Sequence, residues 1–300
     1  MFKLRKNHIF LAIALVLVLM VGIAGCGTKQ GGSADPGDNG KAEEPGETIE
    51  LIWGTPFPAE HPQQKLIVDP FVEEVREKSN GRINIVVHPG NTITSSTSVY
   101  EDTVSGAMDI GWTIQGWTPG KFPLTALMEL PFLWESATEA TEVIWTLFEQ
   151  SEALQNEYKD VYVLNFYTTD IGDIYTRDVP VRSLEALKGL QLRSASQMVD
   201  SILRLFGAES VTLPMPDLYD AVERGTVDGF AAAGHSSLLS YHTYEVTKYA
   251  TNRMGLYISP QAMFMDRDVW ESLSPEDQEI IKSCSGKAMA LKAAAVYDEE

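Results

Sequence analysis

From Thr48 onward the spacing of apolar residues switches repeatedly between a period of two and a helical period. Thr48–Trp53, Arg82–His88, Val161–Tyr167, Leu190–Arg193, Val227–Ala231 and Met254–Ile258 read as short strands. Gln63–Ser79 carries Leu66, Ile67, Phe71, Val72 and Val75 at helical spacing and is ended by Asn80-Gly81. Pro70 falls in its first turn or kinks it. Ala137–Phe148 is an amphipathic helix. Ser196–Phe206 puts Met198, Val199, Ile202, Leu203, Leu205 and Phe206 on one face and stops at Gly207. A further short helix opens near Pro216-Asp217 and stops at Gly225, and Ser274-Pro275 with Asp277 reads as a capped helix start. Strands alternating with helices predict an α/β chain with parallel pairing.

One unit occurs twice. Tyr100-Glu-Asp-Thr-Val-Ser-Gly106-Ala-Met-Asp109 aligns with Tyr219-Asp-Ala-Val-Glu-Arg-Gly225-Thr-Val-Asp228. Each is a short helix closed by Gly and followed by a strand that opens on an apolar residue and Asp. The repeat predicts two similar lobes with a ligand held between them by hinge closure. In such units ligands sit beyond the carboxyl ends of the strands. Arg193 stands at one such end and Phe230–Ala232 at another, and a guanidinium there can hold a carboxylate through two parallel hydrogen bonds. Against this stands the plain alternative of a surface Arg. The repeat also sets Trp112 opposite Ala231, both facing the cleft. Trp112, Gln115 and Trp117, in the loop Trp112–Pro123, are candidates for a cleft wall, the alternative being that the indoles pack in the core. His235, Ser236 and Tyr241 follow the second repeat and are further candidates.

Several stretches carry a resemblance. Gly-Leu-Gln-Leu-Arg193, Gly207-Ala-Glu-Ser-Val-Thr-Leu-Pro-Met-Pro-Asp-Leu-Tyr219 and Gly225-Thr-Val-Asp-Gly229 resemble the DctP-like solute-binding proteins of tripartite ATP-independent periplasmic (TRAP) transporters. So do Lys78–Gly90, Thr125–Trp134, Met263–Trp270 and Ser274–Ile281, so that the likeness covers residues from about 50 to about 290. It implies an α/β, two-lobed periplasmic-binding-protein-like fold with a cleft between the lobes and hinge crossovers. Residues 48–170 with about 255–300 would form one lobe and 171–254 the other. It implies a receptor rather than an enzyme, with Arg193 salt-bridged to a small organic carboxylate, no cofactor or metal, a monomer, and delivery to a TRAP membrane permease. An ABC permease or a sensor kinase as partner, and an extracytoplasmic hydrolase, are the alternatives. Two departures narrow the ligand. The family's second arginine is matched only out of position, by Arg177. Where acidic-sugar members place an Asn, this chain has Ala232. The ligand implied is a smaller or more apolar carboxylate, aromatic or branched.

Composition adds an address and exclusions. Lys3, Arg5 and Lys6 precede an apolar run, Ile9–Ala24, and Ile23-Ala-Gly-Cys26 resembles a lipobox, so residues 1–26 read as a lipoprotein signal peptide with Cys26 as the lipidated residue. As an uncleaved helix the run would cover about 24 Å at ~1.5 Å per residue, short of the ~30 Å hydrocarbon core. Residues 27–47 are Gly, Ser, Asp, Glu, Pro and Lys with almost nothing apolar, a flexible tether to an extracytoplasmic body. A net charge of −19 excludes a phosphate-reading nucleic-acid surface. Cys284 is left without a disulfide partner and reads as a buried thiol. No Gly-x-Ser-x-Gly, His-Glu-x-x-His or Cys-x-x-Cys occurs.

Overall fold

Two five-stranded sheets share one pairing scheme. They are seen in a computed structural model that describes residues 48–233 and 235–299, apart from the side chains of Ser236 and Ser237. Residues 1–47, on which the signal-peptide, Cys26 lipidation and tether readings fall, lie outside the described residues. The first sheet contains β1 (Ile49–Gly54), β2 (Ile83–His88), β3 (Ile110–Ile114), β4 (Val161–Thr168) and the last strand, Pro260–Asp266, which is β10. The second contains β5 (Asp173–Thr176), β6 (Gln191–Ser194), β7 (Glu209–Thr212), β8 (Gly229–Ala232) and β9 (Tyr249–Ala250). Their orders are β2-β1-β3-β10-β4 and β7-β6-β8-β5-β9. In each, three parallel strands are extended through two antiparallel pairings, so that one strand, β10 or β5, runs against the other four.

The sequence repeat explains this likeness. Asp109 and Asp228 do the same work in their own lobes. The Oδ2 of Asp109 accepts from the Ile52 N–H at 2.6 Å, and that of Asp228 accepts from the Gln191 N–H at 2.8 Å. Each Asp N–H in turn donates to the carbonyl of the same partner residue. The new strand is thus tied to the strand already laid down. Gly106 and Gly225, at φ +74° and +71°, supply the left-handed turn that delivers the chain to that clamp.

The chain passes between the sheets after β4 and again after β9. The two passing segments are bonded to each other: Thr169 N–H to the Ser259 carbonyl at 3.0 Å and Gly172 N–H to the Tyr257 carbonyl at 2.7 Å. A Cβ on Gly172 would lie 2.5 Å from the Tyr257 ring, which is why that position is bare. The pair of segments forms the hinge of a two-lobed α/β fold. The strand expected at Met254–Ile258 is not formed, because these residues are this hinge segment, and the sheet ladder begins at Pro260. A proline has no N–H to give and suits the first residue of a strand. β7 was not anticipated, being too short to show alternation.

Helices follow their signals closely. Ser196 caps Gln197–Leu205, its Oγ accepting from the Val199 N–H at 3.2 Å, and Ser274 caps Pro275–Cys284 in the same way at 3.1 Å. Pro70 sits in the first turn of Asp69–Lys78, after one π-helical turn at Gln64–Val68. One core packs Trp53, Trp112, Phe166, Met263 and Phe264 around the first sheet, and a smaller one packs Ile174, Leu192, Val199, Leu203 and Ala231 in the second lobe. Cys284 is a buried free thiol.

His61 is also enclosed. Its Nδ1 accepts from the Gln63 N–H at 3.2 Å, so the ring is held neutral, and burial lowers its pKa from 6.5 to about 3. The unfolded chain therefore takes up a proton below pH 6.5 that the folded one refuses, and stability falls as pH drops through that window. Acid titration of unfolding free energy should show a slope of up to ~1.4 kcal/mol per pH unit below 6.5 that His61→Phe reduces; equal slopes would remove His61 from the account.

Candidate functional site: a buried cation at the lobe interface

Arg193 lies at the carboxyl end of β6 and is 2% exposed. Its Nε donates to the Leu213 carbonyl at 2.6 Å and its Nη1 to the Ala231 carbonyl at 3.1 Å. These two bonds lock the guanidinium plane. Among the described residues no carboxylate pairs with it, and Nη2 has no hydrogen bond. Burial lowers its pKa from the ordinary value, with Tyr257, Tyr241 and Asp217 acting in the opposite direction. An arginine stays charged under such pressure, so the fold carries a desolvated cation with no carboxylate bonded to it among the described residues.

The walls around it come from both lobes and the hinge: Phe57, Ile114 and Trp117 from the first, Met215, Ala232 and Tyr241 from the second, Tyr257 and Ser259 from the crossing segment. Three of these side chains have buried donors without partners: Trp117 Nε1, Tyr241 OH and Tyr257 OH. Burial raises the pKa of both phenols, which keeps their protons in place. Four unpartnered donors therefore meet in a chamber whose remaining described lining is apolar apart from Ser259 and includes no acid, His or Cys. The open space is about 20 Å³, room for about one water-sized group, so anything larger enters only when the lobes part.

The residues singled out from sequence fall in five places. Arg193, Trp117, Ala232 and Tyr241 come together in this chamber. Trp112 does not reach it. Trp112 is fully buried behind Phe57, ring centroids 4.1 Å apart, with its indole N–H bonded to Gln261 Oε1 at 3.0 Å. Ala231, its counterpart in the repeat, packs into the second-lobe core and offers the chamber only its carbonyl. Phe230, the register partner of Arg193, stacks on Tyr175 at 5.2 Å. Gln115 lines a separate cavity of about 320 Å³ with Gly116, Glu129 and Ser196, and both of its amide atoms lack partners. Arg177 points elsewhere, its Nε on Asp178 and its Nη1 on the Val222 carbonyl at 2.9 Å. His235 bonds Asp170 at 2.8 Å on the wall of a third cavity. Phe57, Met215 and Tyr257 were missed. Met215 stood inside a quoted motif without a role, and Tyr257 stood in a stretch read as an ordinary strand.

Beside the chamber the lobes touch at Gly116. A Cβ there would lie 2.6 Å from Ser196 Cβ and 3.0 Å from Glu129 Oε1. Gly116→Val should wedge the lobes apart and weaken ligand affinity about tenfold in a calorimetric titration with little change in melting temperature; unchanged affinity would show that this contact does not limit closure.

Comparison with known proteins agrees with this architecture. Residues 54–300 match the family described as bacterial extracellular solute-binding protein, family 7 (DctP). The outer membrane transporter protein TsaT of Comamonas testosteroni is 24% identical over 241 residues, 80% of this chain and 71% of that one. A marine metagenome TRAP solute-binding protein specific for aromatic acid ligands, solved with 3-hydroxybenzoate, superposes with a TM-score of 0.80 at 27% identity, covering 84% of this chain and 79% of that one. One from Rhodoferax ferrireducens, solved with copurified benzoate, gives 0.79 at 27% identity, covering 83% and 78%. No cluster of His, Cys, Asp or Glu able to hold a metal occurs among the described residues, and no helix among them is long and apolar enough to cross a membrane. The chain belongs to the DctP family, the solute-binding proteins of TRAP transporters.

Proposed function

We propose that this protein captures a small aromatic carboxylate between its lobes and delivers it to a TRAP permease, without chemical turnover. The observation that carries the reading is the buried Arg193, locked by two carbonyls and lacking an acidic partner. A desolvated cation of this kind is costly until an anion pairs with it. The carboxylate takes Nη2, and Trp117, Tyr241 and Tyr257 are positioned to bond its oxygens or a ring substituent. Phe57, Ile114 and Met215 supply the apolar surface for a ring. Ala232 offers no polar group to a sugar hydroxyl, which favours an apolar body over an acidic sugar.

The ligand binds with the lobes parted, and its stronger interaction with the closed form drives closure about the paired hinge segments. Residues 48–170 with 255–300 would move against 171–254. Cys26 carries the lipid, residues 27–47 hold the body off the membrane, and the protein works as a monomer. The similar structures hold 3-hydroxybenzoate and benzoate, which supports the choice of ligand class.

Thermal-shift and calorimetric titration with benzoate and 3-hydroxybenzoate, against benzamide and benzylamine, tests this. The two acids should raise the melting temperature, by the equivalent of ~2.7 kcal/mol at 100 times the dissociation constant. Binding of the neutral or cationic analogue in preference to the acids would overturn it.

A further inference from the structure

Glu129 ends the 3-10 turn Thr125–Glu129 of the first lobe and is 1% exposed. Its Oε2 accepts from the hydroxyl of Ser196, the cap of the second-lobe helix Gln197–Leu205, at 2.5 Å. Its Oε1 is buried with no partner. Gly116 packs against both residues, so the Ser196–Glu129 bond sits in a tight contact between the lobes. We propose that Glu129 is a positioning residue for solute capture: it latches the closed lobes through Ser196 in its protonated form, so that closure takes up a proton. The inference rests on the two-lobed capture proposed above.

The surroundings decide the protonation state. The cavity that Glu129 shares with Gln115 has no other acid and no Lys, Arg or His in its walls. Each neighbouring element is accounted for. On the helix Gln197–Leu205, Asp200 and Arg204 pair with each other at 2.8 Å. Glu157 is taken up by the Thr125 N–H at 3.0 Å. The titratable group from the hinge is Tyr257, whose phenol stays protonated. A carboxylate here would have one hydroxyl for company and no cation, and burial raises the Glu129 pKa from 4.5 to about 7, with the Ser196 bond acting the other way. As a neutral acid, Glu129 still accepts from Ser196 at Oε2 and carries its proton on Oε1, facing the cavity.

With the lobes apart Glu129 meets water and titrates at its ordinary value. Between pH 4.5 and about 7 the open form is ionised while the closed form is protonated. Closing then consumes a proton, and affinity falls as pH rises, by up to ~tenfold per unit, levelling above about pH 7. Benzoate titrated calorimetrically from about pH 5.5 to about pH 8 remains ionised throughout. The expected result is affinity about tenfold or more weaker at the upper end, with proton uptake visible as a dependence of the heat on buffer ionisation enthalpy. Glu129→Gln keeps an acceptor for Ser196 and should bind with no pH slope, about tenfold more tightly than the wild type binds at pH 5.5. A wild type that binds benzoate with no pH slope, or a variant that keeps the slope, overturns the latch and leaves the capture reading standing. Failure to bind any aromatic acid at any pH overturns the capture reading instead. The latch is then decided without solute, on protein whose lobes are held shut by an engineered disulfide between them, by carbon-13 NMR of labelled glutamate side chains, assigned by difference with Glu129→Gln. A Glu129 midpoint near 7 supports it, and one at the ordinary value sinks it.

Discussion

Arg193→Ala should bind benzoate at least about 100-fold more weakly than the wild type, a loss of ~3 kcal/mol or more. The size follows from enclosure. In the closed chamber a carboxylate without its cation is itself an unpaired buried charge, so the variant loses the attraction and gains a penalty. Arg193→Lys should recover only a small part of this. One ammonium cannot bond the Leu213 and Ala231 carbonyls in the plane that Nε and Nη1 now occupy and still present a donor to the ligand. Arg193→Met separates binding from folding. It removes a costly isolated cation and strands two carbonyls, effects of opposite sign, so the melting temperature of the solute-free protein should move by only a few degrees. Wild-type affinity in any of the three variants would take Arg193 out of the site.

Trp112→Ala should have the largest effect on the fold, about 3–5 kcal/mol of unfolding free energy, seen as a drop of roughly 10 °C in melting temperature. The indole is fully buried, stacks on Phe57 and bonds Gln261, which in turn takes the Tyr297 hydroxyl as acceptor at 2.9 Å. Removing it leaves a large void and breaks a chain of polar contacts that runs to the helix Gly286–Asp298. Phe57 then loses the ring behind it, so affinity should fall too, but as a consequence of lost rigidity. Urea denaturation and benzoate titration of the same sample distinguish the roles. Normal stability with lost affinity would make Trp112 a ligand contact; the reverse would make it a core residue alone.

These two residues mark the boundary of what the sequence could tell. Both were singled out as cleft candidates, on evidence of the same kind: a polar or aromatic side chain near the end of a repeat strand. The alternation of β3 and β6 gives each a face, but it does not say which face is inside a lobe and which looks across the gap. A strand in this fold is covered on both sides, so the period-two pattern that separates solvent from core in a half-exposed sheet is absent. β3 is buried at all five positions. Arg177 shows the same limit from the other direction, since its position near the start of the second lobe placed it by analogy, while Asp178 and the Val222 carbonyl hold it aside.

The chain by itself determined the α/β class, the repeat with its Gly turns, the helix starts at Ser196 and Ser274, and the place of an arginine near a strand end. Those features are local: a cap or a turn is written in residues a few positions apart, and its physics needs no distant partner. Tertiary structure alone decided that Trp112 lies behind Phe57, that Tyr241, Tyr257 and Met215 close around Arg193, and that Glu129 meets Ser196. Each of these depends on segments far apart in the chain meeting at the hinge, where burial and the absence of a counter-charge, rather than residue type, give a side chain its role.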